Sequence, residues 1–219
     1  MNKYIQTPWT SAENLVDQLK IGDLIEIKRC IAIGIPIYYH WAIYVGLRNG
    51  IHEVVHFTNK EDDSRVLNSL TNLFLAGLGN IGKSSFPRID NFLDVCYNDK
   101  CRINNSMDKH CKPLQAEDIR SRALSAIGNF EYCVFSYNCE HFAKWARYNL
   151  SISGQANIGK AIMASVATFR IFHNIYFAIA CGVVGYVVLE VCDFVRKRRH
   201  SKGSNNYNHS KKQLAVLPA

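Results

Sequence analysis

Proline and glycine are scarce, at 5 and 13 in 219 residues. With 48% hydrophobic and 11% aromatic residues, that scarcity excludes a disordered or low-complexity chain. The length suits one sizeable core. Acidic residues are missing after Asp193. There Arg196, Lys197, Arg198, Arg199, Lys202, Lys211 and Lys212 carry almost all of the formal charge of +8. The basic character therefore belongs to a tail. No stripe of interleaved aromatic and basic residues accompanies it, so no nucleic-acid partner is expected. The N-terminus lacks the apolar core of a signal peptide. The eight cysteines (30, 96, 101, 111, 133, 139, 181, 192) follow no framework spacing, so free thiols in a reducing compartment are expected. Charge is also absent from Ile171 to Leu189, where no Asp, Glu, Lys or Arg occurs. As a helix that run spans roughly 28 Å, close to a hydrocarbon core. Ala178, Ala180, Gly182 and Gly185 within it suit a membrane helix, and the competing reading is a buried core helix.

Three motifs suggest chemistry but lack the required context. His52-Glu53-Val54-Val55-His56 matches the H-E-x-x-H pattern of zinc proteases. That pattern needs a helix, whereas Val54 and Val55 favour a strand, and Asn49-Gly50 just before them is a hairpin signal. On a strand the two imidazoles sit roughly 13 Å apart, too far for one zinc. Cys96, Cys101 and Cys111 with His110 match no standard zinc knuckle. "GLGNIGKS" (77–84) fits a phosphate loop letter for letter, but Pro87 falls within the helix that must follow. No metal and no cofactor is expected.

The hydrophobic pattern gives a hairpin with strand 40–46, turn 47–50 and strand 51–57. A first strand is expected in "GDLIEIKR" (22–29), after an opening loop and short helix over 8–20, and "GIPIYYH" (34–40) then runs into the hairpin. Residues 58–112 are less regular, with a helix expected over 65–78. "LQAEDIRSRALSAIG" (114–128) has helical periodicity, 131–137 reads as loop or strand, and "NCEHFAKWARYNL" (138–150) reads as a helix capped by Asn138.

Cys139 opens that last helix. A helix N-terminus stabilises an anion, so a lowered thiol pKa is expected there, and the thiolate is the nucleophile. It needs a base, and the base needs a group to orient it. His40 and His56, on neighbouring strands of one hairpin, can approach to about 5 Å. His52 is the substitute for His56 in a tighter register. His141 lies near Cys139 in sequence but points elsewhere on a helix.

"HWAIYVG", "EVVHF" and "NCEHFAKWARY", with "GDLIEI" before them and "RINNSMDKHCKPLQAEDIRSRALSAIG" between, resemble the lecithin:retinol acyltransferase superfamily, in particular its phospholipase A/acyltransferase branch. The likeness covers roughly 20–150 and the apolar C-terminal segment. It implies a permuted papain-like order, with Cys139 as nucleophile, His40 as general base and His56 as the polar third member. The branch usually spaces its two histidines about twelve apart, which would select His52. The motif context selects His56, with the extra residues taken up in a longer hairpin loop.

The expected architecture is α+β, an antiparallel sheet packed against the helix bearing the nucleophile. Residues 1–152 would be catalytic, 153–170 a linker or amphipathic segment, 171–195 the membrane anchor and 196–219 the basic tail. The resemblance implies a membrane-anchored thiol acyltransferase and phospholipase A1/A2. Its substrates would be glycerophospholipids such as phosphatidylcholine and phosphatidylethanolamine, its partner surface a bilayer. The competing functions are a thiol peptidase or amidase with the same triad, and a non-catalytic membrane protein keeping the fold. Orientation is in conflict: the positive flank after the apolar run puts the tail in the cytosol, whereas the free thiols ask for a cytosolic body. A single pass or tail anchor with a cytosolic body, an apolar hairpin starting near Lys160, or a helix lying in the interface are the candidate resolutions.

Overall fold

The computed structural model describes residues 6–30, 36–58, 86–128 and 138–214. Five strands, β1 (Leu24–Cys30), β2 (Pro36–Arg48), β3 (Ile51–Thr58), β4 (Phe86–Asn91) and β5 (Lys100–Ile103), form one antiparallel sheet in the order β4-β3-β2-β1-β5. The helices are α1 (Ala12–Leu15), α2 (Phe92–Cys96), α3 (Ala116–Ser125), α4 (Cys139–Tyr148), α5 (Gly154–Phe172) and α6 (Ile175–Leu214). The architecture is α+β, as the sequence pattern requires.

Alternation along the central strands supplies two apolar faces. Leu24, Trp41, Ile43, Val55 and Phe57 pack with Phe142, Ala143 and Ala146 of α4 and with Ile119 and Ala123 of α3. Ile25, Ile27, Ala42 and Val54 pack with Ala12 and Leu15 of α1 and with Phe92 of α2. Each buried large side chain contributes about 1.5–3 kcal/mol. Arg147 near the end of α4 ties the first layer together. It forks onto Asp108 (3.0 and 2.7 Å) and donates to the Gly22 carbonyl (2.7 Å), while the Tyr148 hydroxyl donates to the same Asp108.

The β2–β3 turn is tighter than the sequence reading. Asn49 and Gly50 alone form it, both with positive φ (50° and 78°), as a two-residue hairpin turn of the mirror-image type demands. Arg48 pairs with Ile51 and Leu47 with His52, and the register shifts between Tyr44 and Gly46. The residues expected in a longer loop are thus absorbed into the ladder and its bulge. H-E-x-x-H lies on β3, so the helix a zinc protease needs is absent there.

Residues 86–103, read as irregular, contain β4, α2 and β5. Both strands are short edge strands whose mixed polarity hides the alternation, and Pro87 is tolerated because β4 is an edge. The helix expected over 65–78, the glycine-rich 77–84 loop and 131–137 lie outside the described residues.

The apolar run from Ile171 is divided. His173 adopts a left-handed conformation (φ 51°) and closes α5, and Asn174 caps α6 by accepting the Phe177 N–H (3.0 Å). Among the described residues, the helix long and apolar enough to cross a membrane is Ile175–Ser201, 27 residues.

Candidate active site

Cys139 is the first residue of α4. Asn138 caps that helix: its side-chain oxygen accepts the His141 N–H (3.0 Å), and the His141 ring reaches back to the Asn138 N–H (3.4 Å). His141 is therefore a capping residue. Burial holds its imidazole down at about 4, so it is neutral at physiological pH. Asn138→Ala is expected to cost about 1 kcal/mol of stability, read as a lower midpoint in denaturant. The loss should be larger than for a bare cap, because Asn138 Nδ2 also donates to Ser153 Oγ (3.1 Å).

The Cys139 sulfur sits where β3 has parted from β2. Among the described residues the β2–β3 ladder begins at Ala42–His56, so no described strand pairs with the β3-facing edge of Tyr39 to Trp41. Cys139 Sγ donates to the Tyr39 carbonyl at 3.9 Å, and the Trp41 N–H is directed at the sulfur. The sulfur thus lies against the two peptide units flanking the His40 Cα. Beside it, the Gln155 amide fills the neighbouring ladder position. Gln155 accepts the Tyr39 N–H (3.0 Å) and donates to the Tyr39 carbonyl (2.9 Å).

Electrostatics at the sulfur differ from the sequence expectation. Burial, with Cys139 7% exposed, pushes its thiol up to about 12. The N–H groups of Trp41, Glu140 and Cys139 oppose that rise, and the Glu140 carboxylate adds to it. The helix terminus is present, but desolvation outweighs it. Burial would raise Glu140 too. Its carboxyl is instead held below the usual range by Lys144 (2.6 Å), Ser153 Oγ (2.6 Å) and the Gln155 N–H (3.2 Å).

His40 and His56 project from one face of the sheet, the face of Ala42 and Val54. Their rings are perpendicular, 5.1 Å apart, with His40 Nε2 2.9 Å from His56 Nδ1. His56 Nε2 lies 2.8 Å from Asp90 Oδ2 on β4, and Arg88 Nε donates to the same oxygen at 2.6 Å. Burial would raise Asp90, yet its bonds to His56 and Arg88 hold it below the usual carboxylate value.

An ionised carboxylate only accepts. When His56 is neutral, that carboxylate holds its proton on Nε2, and His56 Nδ1 is then an acceptor. His40 must then carry its proton on Nε2, leaving Nδ1 with a free lone pair. Burial, followed by repulsion from His56 and Arg29, holds His40 well below 6.5, so this ring is a neutral base at physiological pH.

His40 and His56 therefore touch each other, while the Cys139 sulfur, in the layer packed on the opposite sheet face, lies against the backbone on either side of His40. His52 is apart from this pair: its Nδ1 bonds the Tyr44 hydroxyl at 2.8 Å. Cys96 and Cys101 are buried in the layer under α1 and α2, away from Cys111 in the α4 layer. Sequence reasoning missed Asp90 and Gln155. Asp90 stands on an edge strand whose pattern is weak, and Gln155 lies in what reads as a linker.

The profile of the family described as "Lecithin retinol acyltransferase" matches residues 17–152. Phospholipase A and acyltransferase 3 of Homo sapiens is 34% identical over 158 residues, 69% of this chain and 84% of the relative. Phospholipase A and acyltransferase 4 of Homo sapiens is 30% identical over 187 residues, 84% of this chain and 94% of the relative. Phospholipase A and acyltransferase 1 of Rattus norvegicus is 32% identical over 142 residues, 62% and 72% of the two chains. The matched span holds the sheet, the histidines and the cysteine helix together, and the chain belongs to the lecithin retinol acyltransferase family.

Proposed function

We propose that this chain is a thiol acyltransferase and phospholipase A acting on glycerophospholipids at a membrane, with Cys139 as nucleophile and His40 as general base. The observation that carries the reading is the sulfur at the start of α4, lodged against the peptides on either side of His40. The proton-directing chain from Asp90 through His56 to His40 supports it. The names of the relatives supply the substrate class.

The resting pair is neutral thiol and neutral imidazole, so His40 acts as a base during attack instead of holding a preformed ion pair. For attack the thiol must leave the Tyr39 carbonyl and come within hydrogen-bond reach of His40 Nδ1. The sulfur bonds to the ester carbonyl carbon, and Nδ1 takes the thiol proton. N–H groups at the start of α4 stabilise the oxyanion. The ester C–O bond breaks, and Nδ1 returns the proton to the departing glycerol oxygen. The thioester then passes its acyl group to water, to the amine of phosphatidylethanolamine, or to a lysophospholipid. His40 removes the acceptor's proton and restores the thiol.

His56 transmits the tautomer, and Asp90 is a positioning residue. Asp90→Ala is expected to lower kcat on the order of tenfold, within the range of acid–base contributions. It should also move the acid limb of the rate profile to lower pH, since loss of the anion disfavours imidazolium. A packing defect would leave that limb in place. Asp90→Glu should recover part of the rate.

The test uses the full chain with phosphatidylcholine vesicles. Release of fatty acid and lysophosphatidylcholine is expected, and addition of phosphatidylethanolamine should divert acyl groups to its amine. Cleavage of peptides without lipid turnover would instead identify a peptidase.

A further inference from the structure

α5 and α6 fold back on each other across a two-residue link, His173–Asn174. Their contact is close. A Cβ on Gly182 of α6 would meet Ser165 Oγ at 1.9 Å and the Ala161 carbonyl at 3.2 Å on α5, and Ala161 and Ala178 are buried. Small residues at a crossing are how helices approach within lipid. At the base, Asn157 Nδ2 donates to Glu190 (3.1 Å) and Asp193 (2.9 Å).

Outward, α5 carries its own apolar stripe. Ile158, Ile162, Val166 and Phe169 are exposed at helical spacing, alongside Val183 and Val187 on α6. Charge is confined to the ends. Lys160 lies near the base on α5, and Arg196 to Arg199 lie near the base on α6. Arg170 and His173 lie at the tip. From Lys160 to Phe172, and from Ile175 to Leu189, the two legs extend about 20 and 22 Å.

We propose that α5 and α6 enter the bilayer together as a hairpin from one side, so that the body and the basic tail share that side. This rests on reading α6 as a membrane helix. It adds a second membrane leg, and it changes the topology. The occupant of the exposed stripe is lipid: the apolar legs are ringed at their base by cations suited to anionic headgroups, and nothing charged interrupts the stripe between Lys160 and Arg170. Legs of this length pass the midplane of a core about 30 Å thick without emerging. Arg170, with a long side chain at the tip, extends toward the far headgroups. The orientation conflict disappears. The cationic tail and the thiol-rich body both face the cytosol, as each separately requires. The hairpin base is also the site: Ser153 and Gln155 at the start of α5 bond Glu140 and Tyr39 beside the Cys139 sulfur. The nucleophile thereby stands at headgroup level.

Two measurements on the full chain test this. In phosphatidylcholine–phosphatidylserine vesicles with brominated acyl chains, Val166→Trp on α5 and Val187→Trp on α6 should both be quenched, relative to the parent. Ile162→Trp serves if Val166→Trp fails to fold. Quenching at Val187→Trp alone overturns the second leg and leaves the anchor standing. Quenching at neither removes the anchor as well. With an epitope tag at each end, protease added outside sealed microsomes should remove both tags. Protection of either tag overturns the shared side.

Discussion

Cys139→Ala is expected to abolish lipid turnover, with loss on the order of 10⁴-fold or more in kcat/KM and no acyl group recoverable on the protein. Cys139 is the described thiol that opens α4 against the peptides flanking His40. Cys96 and Cys101 are fully buried beneath α1 and α2, and burial, the mutual Cys96–Cys101 interaction and Asp99 drive the Cys96 thiol strongly upward. Cys192 is exposed, but on α6. The fold should survive, because alanine at the first helical position keeps the Asn138 cap and removes only a weak thiol bond to the Tyr39 carbonyl. The measurement pairs fatty acid release with mass spectrometry of the trapped thioester, and with circular dichroism to show an intact domain. Turnover in the alanine variant at even a tenth of the parent rate would remove Cys139 from the chemistry.

His40→Ala should cost about 10²–10⁴-fold, the usual contribution of a positioned base. The pH dependence carries more information than the size of the loss. kcat/KM reports the free enzyme, whose His40 is depressed well below 6.5 by burial and whose thiol is raised to about 12. The base works when neutral, so the rate should hold level through neutrality and fall only well below pH 6.5. Above neutrality no rise from thiolate formation is expected until the pH nears about 12. Alkylation gives the same answer independently. Cys139 in the resting enzyme should react slowly with iodoacetamide at pH 7 and faster as pH rises, while exposed Cys192 reacts readily. A preformed thiolate–imidazolium pair would instead make Cys139 the fastest thiol at mildly acidic pH. Selective labelling there would replace the base mechanism with an ion pair.

The parts legible in the sequence are those where a local rule acts alone. Asn49-Gly50 sets the hairpin turn through its positive φ, and Asn138 before "CEHF" sets the cysteine helix through its cap. The alternation of "HWAIYV" sets both faces of β2. With the family resemblance added, these singled out Cys139, His40 and His56, of which the two histidines lie in contact and the sulfur lies against the backbone flanking His40. Four things were not legible. The length of the hairpin strands depended on a bulge between Tyr44 and Gly46, which no residue announces. Asp90 enters the site only because β4 pairs with β3 at the sheet edge, a long-range choice invisible in a six-residue strand. The thiol's ionisation followed from depth, which a helix N-terminus does not reveal. The break at His173 split the apolar run because a non-glycine residue adopts the left-handed conformation there.

Gln155 occupies the ladder position at Tyr39, using one side-chain amide for both backbone groups. A fragment ending at 152 would lack that plug. The bared N–H and C=O of Tyr39 would then be free to zip onto any extended segment nearby, including the same rim of a second fragment. Water-soluble versions stripped of their anchor would tend to self-associate through the mouth of their own site. Their inactivity would then say little about the intact enzyme.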